Sequence, residues 1–424
     1  MNRLLLFVES NTTGTGMLAL KKAQAYGVTP VFLTNKPERY LGLAETGCQV
    51  LMCDTNSLEE LRQTIETRLA VNQLCGIMTT SEFYLVTTAK LAELYGLPGN
   101  PPEAMEICRN KAKTRQRLSE EGVEQPRFAI VQDPAQIPAA MAAVGLPCVV
   151  KPVDDSGSND VKLCHTVEQI EQQLAVILAE KLNTRGQQRE RAILIEEYLD
   201  DPEFSVEMFT YAGQTISIGI TQKQISGTPF FVEHQHIFPA QLSTETAEQI
   251  KDTVLRALTA VGIQNGATHT EVKVTSKGCA IIEINARLAG GMIPELIHQA
   301  TGIDLLEQQI KAAMGECTIH KQEVASKEYA GIHFFLSEQE GTFQRAEGIE
   351  RVRNMPGIHN VTITAREGGQ VHVAQNAYHR LGYVIASGTT YTETEKRLTE
   401  AVRQIALVLE ERQEAVPLLQ PAPG

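Results

Sequence analysis

Apolar and polar positions change their period along this chain, and the change divides it. Up to about residue 100, short apolar runs alternate with helical patterns. "LLLFVE", "TPVFLTN" and "LCGIMTT" are almost continuously apolar, as strands buried on both faces are. "GMLALKKAQAYG", "SLEELRQTIETRLAV" and "FYLVTTAKLAELYG" repeat apolar residues at helical spacing, the first and last closing at Gly27 and Gly96. The βαβαβα order predicts a parallel sheet with right-handed crossovers. "RNKAKTRQRLSEEG" then restarts as helix.

From about 128 the runs shorten. "RFAIV", "PCVVKPV", "DVKLCH", "AILIEEYL", "EFSVEMFTYAG" and "QTISIGITQKQ" read as strands, and "TAEQIKDTVLRALTAVG" as a helix. "GATHTEVKVTSKGCAIIEINAR" predicts an antiparallel hairpin turning at Ser276-Lys277-Gly278. Beyond about 328, "YAGIHFFLS", "VTITAREGGQV" and "LGYVIASGTT" predict a small β-rich piece capped by the helix "YTETEKRLTEAVRQIALVLEERQ". The proline-rich "AVPLLQPAPG" reads as a flexible end. No internal repeat is visible.

Composition narrows the function classes. The chain has 424 residues, 42% of them apolar, enough for two or three domains with large cores. Its formal net charge of −13 makes nucleic acid and anionic membrane poor partners, so an anionic ligand needs local cations and backbone N–H groups. The 8 cysteines are scattered without a C-x-x-C or a zinc spacing, which reads as reduced thiols of a cytoplasmic protein. No signal peptide and no apolar stretch of membrane-spanning length is expected.

The first loop raises a question of chemistry. Gly14-Thr15-Gly16-Met17-Leu18-Ala19 spells G-x-G-x-x-A between a strand and a helix. A dinucleotide site needs an acid at the end of the next strand, and Asn35 and Lys36 stand there instead. The loop can therefore be a tight structural turn or a polar wall facing a substrate.

Three stretches carry stronger signals. In "THTEVKVTSKGCAIIEINARLAGG", Glu271 and Glu283 lie on the two arms of one hairpin. Asn285 follows Glu283 on the same face by the strand period of two. Three converging oxygen donors suit Mg²⁺, and Arg287 continues the face with a fork for phosphate or carboxylate. Solvated acids on a surface hairpin are the plainer alternative, but the apolar neighbours and the Asn argue against it. In "LPCVVKPVDDSGSNDVKL", Lys151 ends an apolar strand and precedes a small polar stretch, Asp154 to Asp160, that can lay N–H groups over phosphates. Lys111 in "RNKAKTRQRL" is a second cation or a solvated helix lysine. In "AILIEEYLDDPEFSVEMF", a strand gives way to Glu196-Glu197-Tyr198-Leu199, whose backbone can meet a purine edge, with Glu203 within reach of a ribose.

Together these motifs resemble, in order and spacing, the ATP-grasp carboxylate–amine ligases, and most closely the L-amino-acid (dipeptide) ligases. The resemblance covers nearly the whole chain. It implies a parallel-sheet α/β pre-ATP-grasp domain (1–110) and a two-subdomain ATP-grasp region (111–325, its small subdomain about 120–195 and its nucleotide and Mg subdomain about 196–325). An α/β C-terminal domain (326–412) and a flexible tail (413–424) complete the expected division. It implies that Lys111, Lys151, Ser156, Gly157 and Ser158 meet the phosphates of ATP, that Glu196, Glu197, Tyr198 and Leu199 line the adenine, and that Glu203 holds the ribose. The resemblance implies further that Glu271, Glu283 and Asn285 bind Mg²⁺, two ions with Mn²⁺ able to substitute, and that Arg287 and Lys151 are the catalytic cations. It implies that Gly290, Gly291, Thr15 and Gly16 face the substrate with Arg287, so the first loop is read as a substrate wall.

The implied reaction passes through an acyl-phosphate that an amine then attacks, with 154–160 as the lid that keeps water out. "FFVEHQHIFPA" supplies further substrate candidates in Glu233 and His236, and His269 stands beside Glu271. Period two predicts Glu233 and Gln235 on one face, His234 and His236 on the other. His298 and the Tyr378-His379-Arg380 run are weaker candidates. The partners are then a small carboxylate and a small amine, both amino acids, in a homodimer. Two other readings stay open: an ATP-grasp enzyme of the purine-biosynthesis or biotin-carboxylase-like type using another carboxylate or bicarbonate, and a non-catalytic nucleotide-binding scaffold. Loss of Glu271 or Asn285 would have favoured the scaffold. No biotin-carrier A-M-K-M occurs.

Overall fold

The computed structural model describes residues 3–12, 15–226, 230–317, 319 and 324–410; the predicted tail and Gly14 lie outside them. The three apolar runs at the start form parallel strands Leu4–Val8, Thr29–Thr34 and Leu74–Met78. Leu5 and Phe7 enter one core, while Leu4, Leu6 and Val8 enter another against Leu61 and Ile65 of the helix Leu58–Arg68. Burial on both faces is why the run carries no alternation. A fourth parallel strand, Gln49–Met52, lies on the edge beside Thr29–Thr34. The sequence pattern does not mark it, because only Leu51 of the four is buried.

An eight-stranded antiparallel sheet follows, in the order Gly278–Asn285, Gly266–Thr275, Glu203–Tyr211, Gln214–Ser226, Val232–Phe238, Tyr329–Phe335, Gly382–Gly388 and Ile358–Ile363. Its two sides differ sharply in chemistry. Phe204, Val206, Met208 and Val272 pack on the helix Thr244–Val261. Ser243 caps the start of that helix by accepting from the Thr246 N–H, and Gly262 ends it in the left-handed region. The alternate residues Glu203, Ser205, Glu207, His269 and Glu271 therefore point to the other side. A separate four-stranded sheet, Phe128–Val131, Ile193–Glu197, Cys148–Pro152 and Lys162–Cys164, is antiparallel throughout.

The C-terminal strands do not stand apart. Tyr329–Phe335 pairs with Val232–Phe238, so strands from both sides of residue 325 share one sheet. The final helix is shorter than its pattern: it spans Tyr391–Arg403, and Ala406–Glu410 is a strand paired with Gly341–Glu347. The alternating "ALVLE" satisfies its backbone in a three-stranded sheet instead of extending the helix.

Phe238 joins these parts. It is fully buried at the end of its strand, in a core that also holds Phe7, Phe209 and Ile297. The ring fits only because position 219 is glycine, where a Cβ would lie 2.4 Å from it. Phe238→Ala is expected to lower stability by about 3–5 kcal/mol, read as a shift of the urea midpoint. A cost below about 1 kcal/mol would show that this core repacks freely.

Candidate active site

The polar side of the eight-stranded sheet, the four-stranded sheet and the first loop enclose two adjoining cavities. The first is lined by Val149, Lys151, Tyr198, Leu199, Phe231 and Ile282 among others. The second holds about 1060 Å³ and reaches from Asn11 and Thr15 to Tyr378 and Arg380. Ser156, Gly157, Ser158, Glu233, Glu271 and Glu283 belong to the walls of both.

The first cavity gathers every expected nucleotide residue. Asn110 caps the helix Lys111–Glu120, accepting from the Lys113 N–H, and this brings Lys111 inward. Its Nζ donates to the Asp155 carbonyl at 2.7 Å and lies 3.2 Å from Glu283 Oε1. Lys151 Nζ is 2.6 Å from Glu196 Oε2, and Arg115 holds the other oxygen of that carboxylate. Burial alone would raise the Glu196 carboxyl, yet Arg115 and Lys151 hold it below its ordinary value. Glu196 thus lines the cavity as the counter-ion that fixes Lys151. Tyr198 donates to Asp200, and the Leu199 carbonyl accepts from Lys273. Gly157, Ser158 and Asp160 all take positive φ, the tight curl that the 154–160 stretch needs.

The hairpin pairs Glu271 directly opposite Glu283 and His269 opposite Asn285. Lys223 Nζ and His269 Nε2 both approach Glu271 Oε1, at 2.8 and 3.4 Å. The Lys111 contact uses Glu283 Oε1. The Oε2 atoms of both glutamates are left without a partner among the described residues. With the Asn285 amide donating to Glu82, its nitrogen lies 2.9 and 3.2 Å from the two carboxylate oxygens and its own oxygen is turned away. Two carboxylate oxygens and one amide oxygen are donors that fit Mg²⁺.

Several residues of this site escape the sequence pattern. Glu82 is buried and accepts from Arg287 Nε at 2.9 Å and Nη2 at 2.6 Å. Burial works to raise its carboxyl, but Arg287, Arg109 and Lys111 hold it at about 2. Lys223, also buried, meets Glu203 at 2.7 Å, Glu271 at 2.8 Å and Glu233. The three carboxylates form a cluster of cation-ligating geometry whose cation is this ammonium. Neither residue has a local signal, because each is defined by partners far away in sequence.

The "VEHQHIF" strand corrects the period-two expectation. Gln224 pairs with Gln235 and Ile225 with Glu233, so His234 is an extra residue in a bulge. Glu233 and His236 consequently share a side, His236 Nε2 lying 3.4 Å from Glu233 Oε2. His234 instead packs its ring on His333. Burial outweighs the pull of Glu233 and, with Arg380 and Lys223 nearby, holds the His236 ring below its ordinary value. Gly290 and Gly291 line the second cavity, and a Cβ at Gly291 would press on His236 Nε2 at 3.0 Å. Thr15 lines the same cavity. Gly16 does not face it: a Cβ there would stand 2.3 Å from Ser10 Oγ and 2.4 Å from the Asn11 carbonyl, so this glycine permits the turn itself.

The chain matches three protein families: the ATP-grasp N-terminal domain over residues 20–99, the ATP-grasp domain over 144–295 and the L-amino acid ligase C-terminal domain 2 over 333–410. It is 30% identical over 406 residues to "Uncharacterized protein y4rH" of Sinorhizobium fredii, covering 96% of this chain and 83% of that one. It is 29% identical to the alanine–anticapsin ligase of Bacillus subtilis over 60% of this chain and 57% of that protein, under two thirds of the latter's length. The crystal structure of an L-amino acid ligase from Bacillus licheniformis superposes with a TM-score of 0.81 at 25% identity, covering 97% of this chain and 99% of that one.

His269 gives the site a pH signature. Burial opposes its charged form, but Glu207, 2.7 Å from Nδ1, and Glu271 raise it from 6.5 to about 10. A raised value stabilises the fold fully below pH 6.5, and the contribution is lost as pH climbs toward 10. In metal-free protein the urea midpoint should fall between pH 7 and 10, and His269→Gln should flatten that fall. An unaltered slope in the variant would refute the assignment.

Proposed function

The chain belongs to the ATP-grasp carboxylate–amine ligases of the L-amino acid ligase type, and we propose that it joins two amino acids through a peptide bond, converting ATP to ADP and phosphate by way of an acyl-phosphate. The observation that carries this reading is the wall common to the two cavities. Ser156–Ser158, Glu233, Glu271 and Glu283 stand between the cavity lined by the expected nucleotide residues and the larger chamber, where on this reading a γ-phosphate and a carboxylate meet.

Each residue then has a part. The adenine lies along Tyr198 and Leu199 beside Glu196 and Glu197, and Glu203 takes the ribose. Lys111, Lys151 and the 156–158 backbone hold the phosphates, with Lys151 kept in place by Glu196. Glu271, Glu283 and Asn285 hold Mg²⁺, which when bound neutralises phosphate charge; a second ion and exchange with Mn²⁺ belong to the same reading. Arg287, oriented by Glu82, faces the transferring phosphoryl group and the acyl oxygen. Thr15, Glu233, His236, His269, Gly290 and Gly291 surround the amino acids. Positioning and fixed charge supply the catalysis, as in phosphoryl transfer generally.

Among the described residues no helix is long and apolar enough to cross a membrane. We place the enzyme in the cytoplasm as a homodimer; its 8 scattered cysteines, without a zinc spacing, suit a reducing compartment. The division at about 110 and 325 into pre-ATP-grasp, ATP-grasp and C-terminal domains is part of this reading.

The test is phosphate release from Mg-ATP against a pairwise matrix of amino acids, with mass spectrometry of the products. Release that needs two amino acids, with a product of their summed mass less water, is expected. Turnover that depends on bicarbonate or a nucleotide precursor would replace the reading with that of a carboxylase-like or purine-type enzyme. Glu283→Ala is expected to lower turnover by about 10³-fold or more while the urea midpoint stays near that of the parent. Chelation of Mg²⁺ should reproduce the loss reversibly. Near-normal ADP formation by the variant would remove Glu283 from the metal site.

A further inference from the structure

The large cavity has to hold an anion that the chemistry never consumes. In a reaction between two amino acids, the acyl partner's carboxylate is spent in the acyl-phosphate. The amine partner's carboxylate keeps its charge throughout. Acids dominate the chamber, with Glu82, Glu233, Glu271, Glu283, Glu295 and Asp304 on its walls. A cation must therefore be reserved for that carboxylate, because burying it beside those acids is otherwise costly.

Four lysine and arginine side chains line the chamber among the described residues: Lys22, Arg185, Arg287 and Arg380. Lys22 is paired with Asp304. Arg185 donates Nη1 to the Tyr40 hydroxyl at 2.9 Å and Nη2 to the Ser10 carbonyl at 2.8 Å. Arg287 gives Nε and Nη2 to Glu82 and Nη1 to the Leu288 carbonyl, so its whole fork is engaged. Arg380 differs. Only its Nη2 is used, donating to the Glu233 carbonyl and to Glu233 Oε2, both at 3.0 Å. Its Nε is buried with no partner, and no hydrogen bond of the described residues uses Nη1.

The guanidinium is also held in place. Its carbon lies 3.8 Å above the Phe334 ring, and Glu233 fixes one corner. Glu233 belongs to the wall between the two cavities, so Arg380 stands one side chain from the place of transfer. An α-amino acid separates its amine and carboxylate by two bonds at one carbon, which suits an anchor this close to the reacting centre.

We propose that Arg380, brought to the chamber by the C-terminal strands, receives the α-carboxylate of the amine substrate and makes the enzyme select free amino acids over amines that lack that group. This rests on the ligase reading above, and the experiment separates the two. Hydroxylamine in place of the amine traps the acyl-phosphate as a hydroxamate. If the parent enzyme makes no hydroxamate from any amino acid, the ligase reading fails. Given hydroxamate, the parent is compared with Arg380→Gln on a free amino acid and on its carboxamide as the amine substrate. The parent is expected to favour the carboxylate in kcat/KM by about tenfold to a hundredfold, the range for a charge-assisted pair. In Arg380→Gln the preference should collapse toward unity, with the change mainly in the KM of the amine substrate. Arg380→Lys, keeping the charge and losing the fork, should restore part of it. The preference is a ratio within one preparation, so partial misfolding does not change it. A parent without the preference, or an Arg380→Gln variant that retains it in full, overturns the proposal.

Discussion

Four neighbouring strands of the large sheet are tied by one buried ammonium. Lys223 extends from Gln214–Ser226 to Glu203, Glu271 and Glu233, each on a different strand. Three carboxylates this close, largely removed from water, repel one another strongly without a cation between them. Lys223 offsets that repulsion, and the burial that would neutralise a lone lysine is overcome by the three acids, which hold it well above its ordinary value. Two of these acids, Glu233 and Glu271, belong to the wall shared by the two cavities, and Glu203 lines the first. The sheet and the site therefore depend on a single charge balance, and a change at any of these residues is felt in both.

Much of this was legible in the sequence where signals are local. The parallel start followed from apolar runs and helical spacing. The hairpin that carries Glu271 and Glu283 on its two arms followed from its turn, and Asn285 from the period of two; the irregularity at Ile282 that sets the two glutamates directly opposite did not. What escaped was set by distant partners or by irregular backbone. Glu82 reads as a loop acid until Arg287, 205 residues away, reaches it. Lys223 reads as a surface lysine on an alternating strand. The extra residue at His234 reverses the facing of Glu233, and a bulge has no spelling of its own. The edge strand Gln49–Met52 buries too little to show a pattern.

Arginines carry much of the connection between parts. Arg115, wholly buried, joins its helix to Glu196 of the small sheet and to the Ile281 and Ile282 carbonyls of the large one. Arg185 reaches from the loop after Val167–Ala179 to Tyr40 and Ser10 of the first parallel-sheet unit. Its planar fork can satisfy two acceptors on separate elements at once, which an ammonium on a flexible stem does less well. The cleft is shaped by such bridges as much as by apolar packing.

The strand Tyr329–Phe335 sits between Val232–Phe238 and Gly382–Gly388, with main-chain ladders on both sides. The last part of the chain is thus not a cassette that homologues can trade at a linker. Removing it strips the neighbour of one whole ladder and leaves an open edge of the kind that recruits other chains. Variation in the far wall of the chamber, within the Thr362–Tyr383 region, is then constrained to changes that keep the ladder.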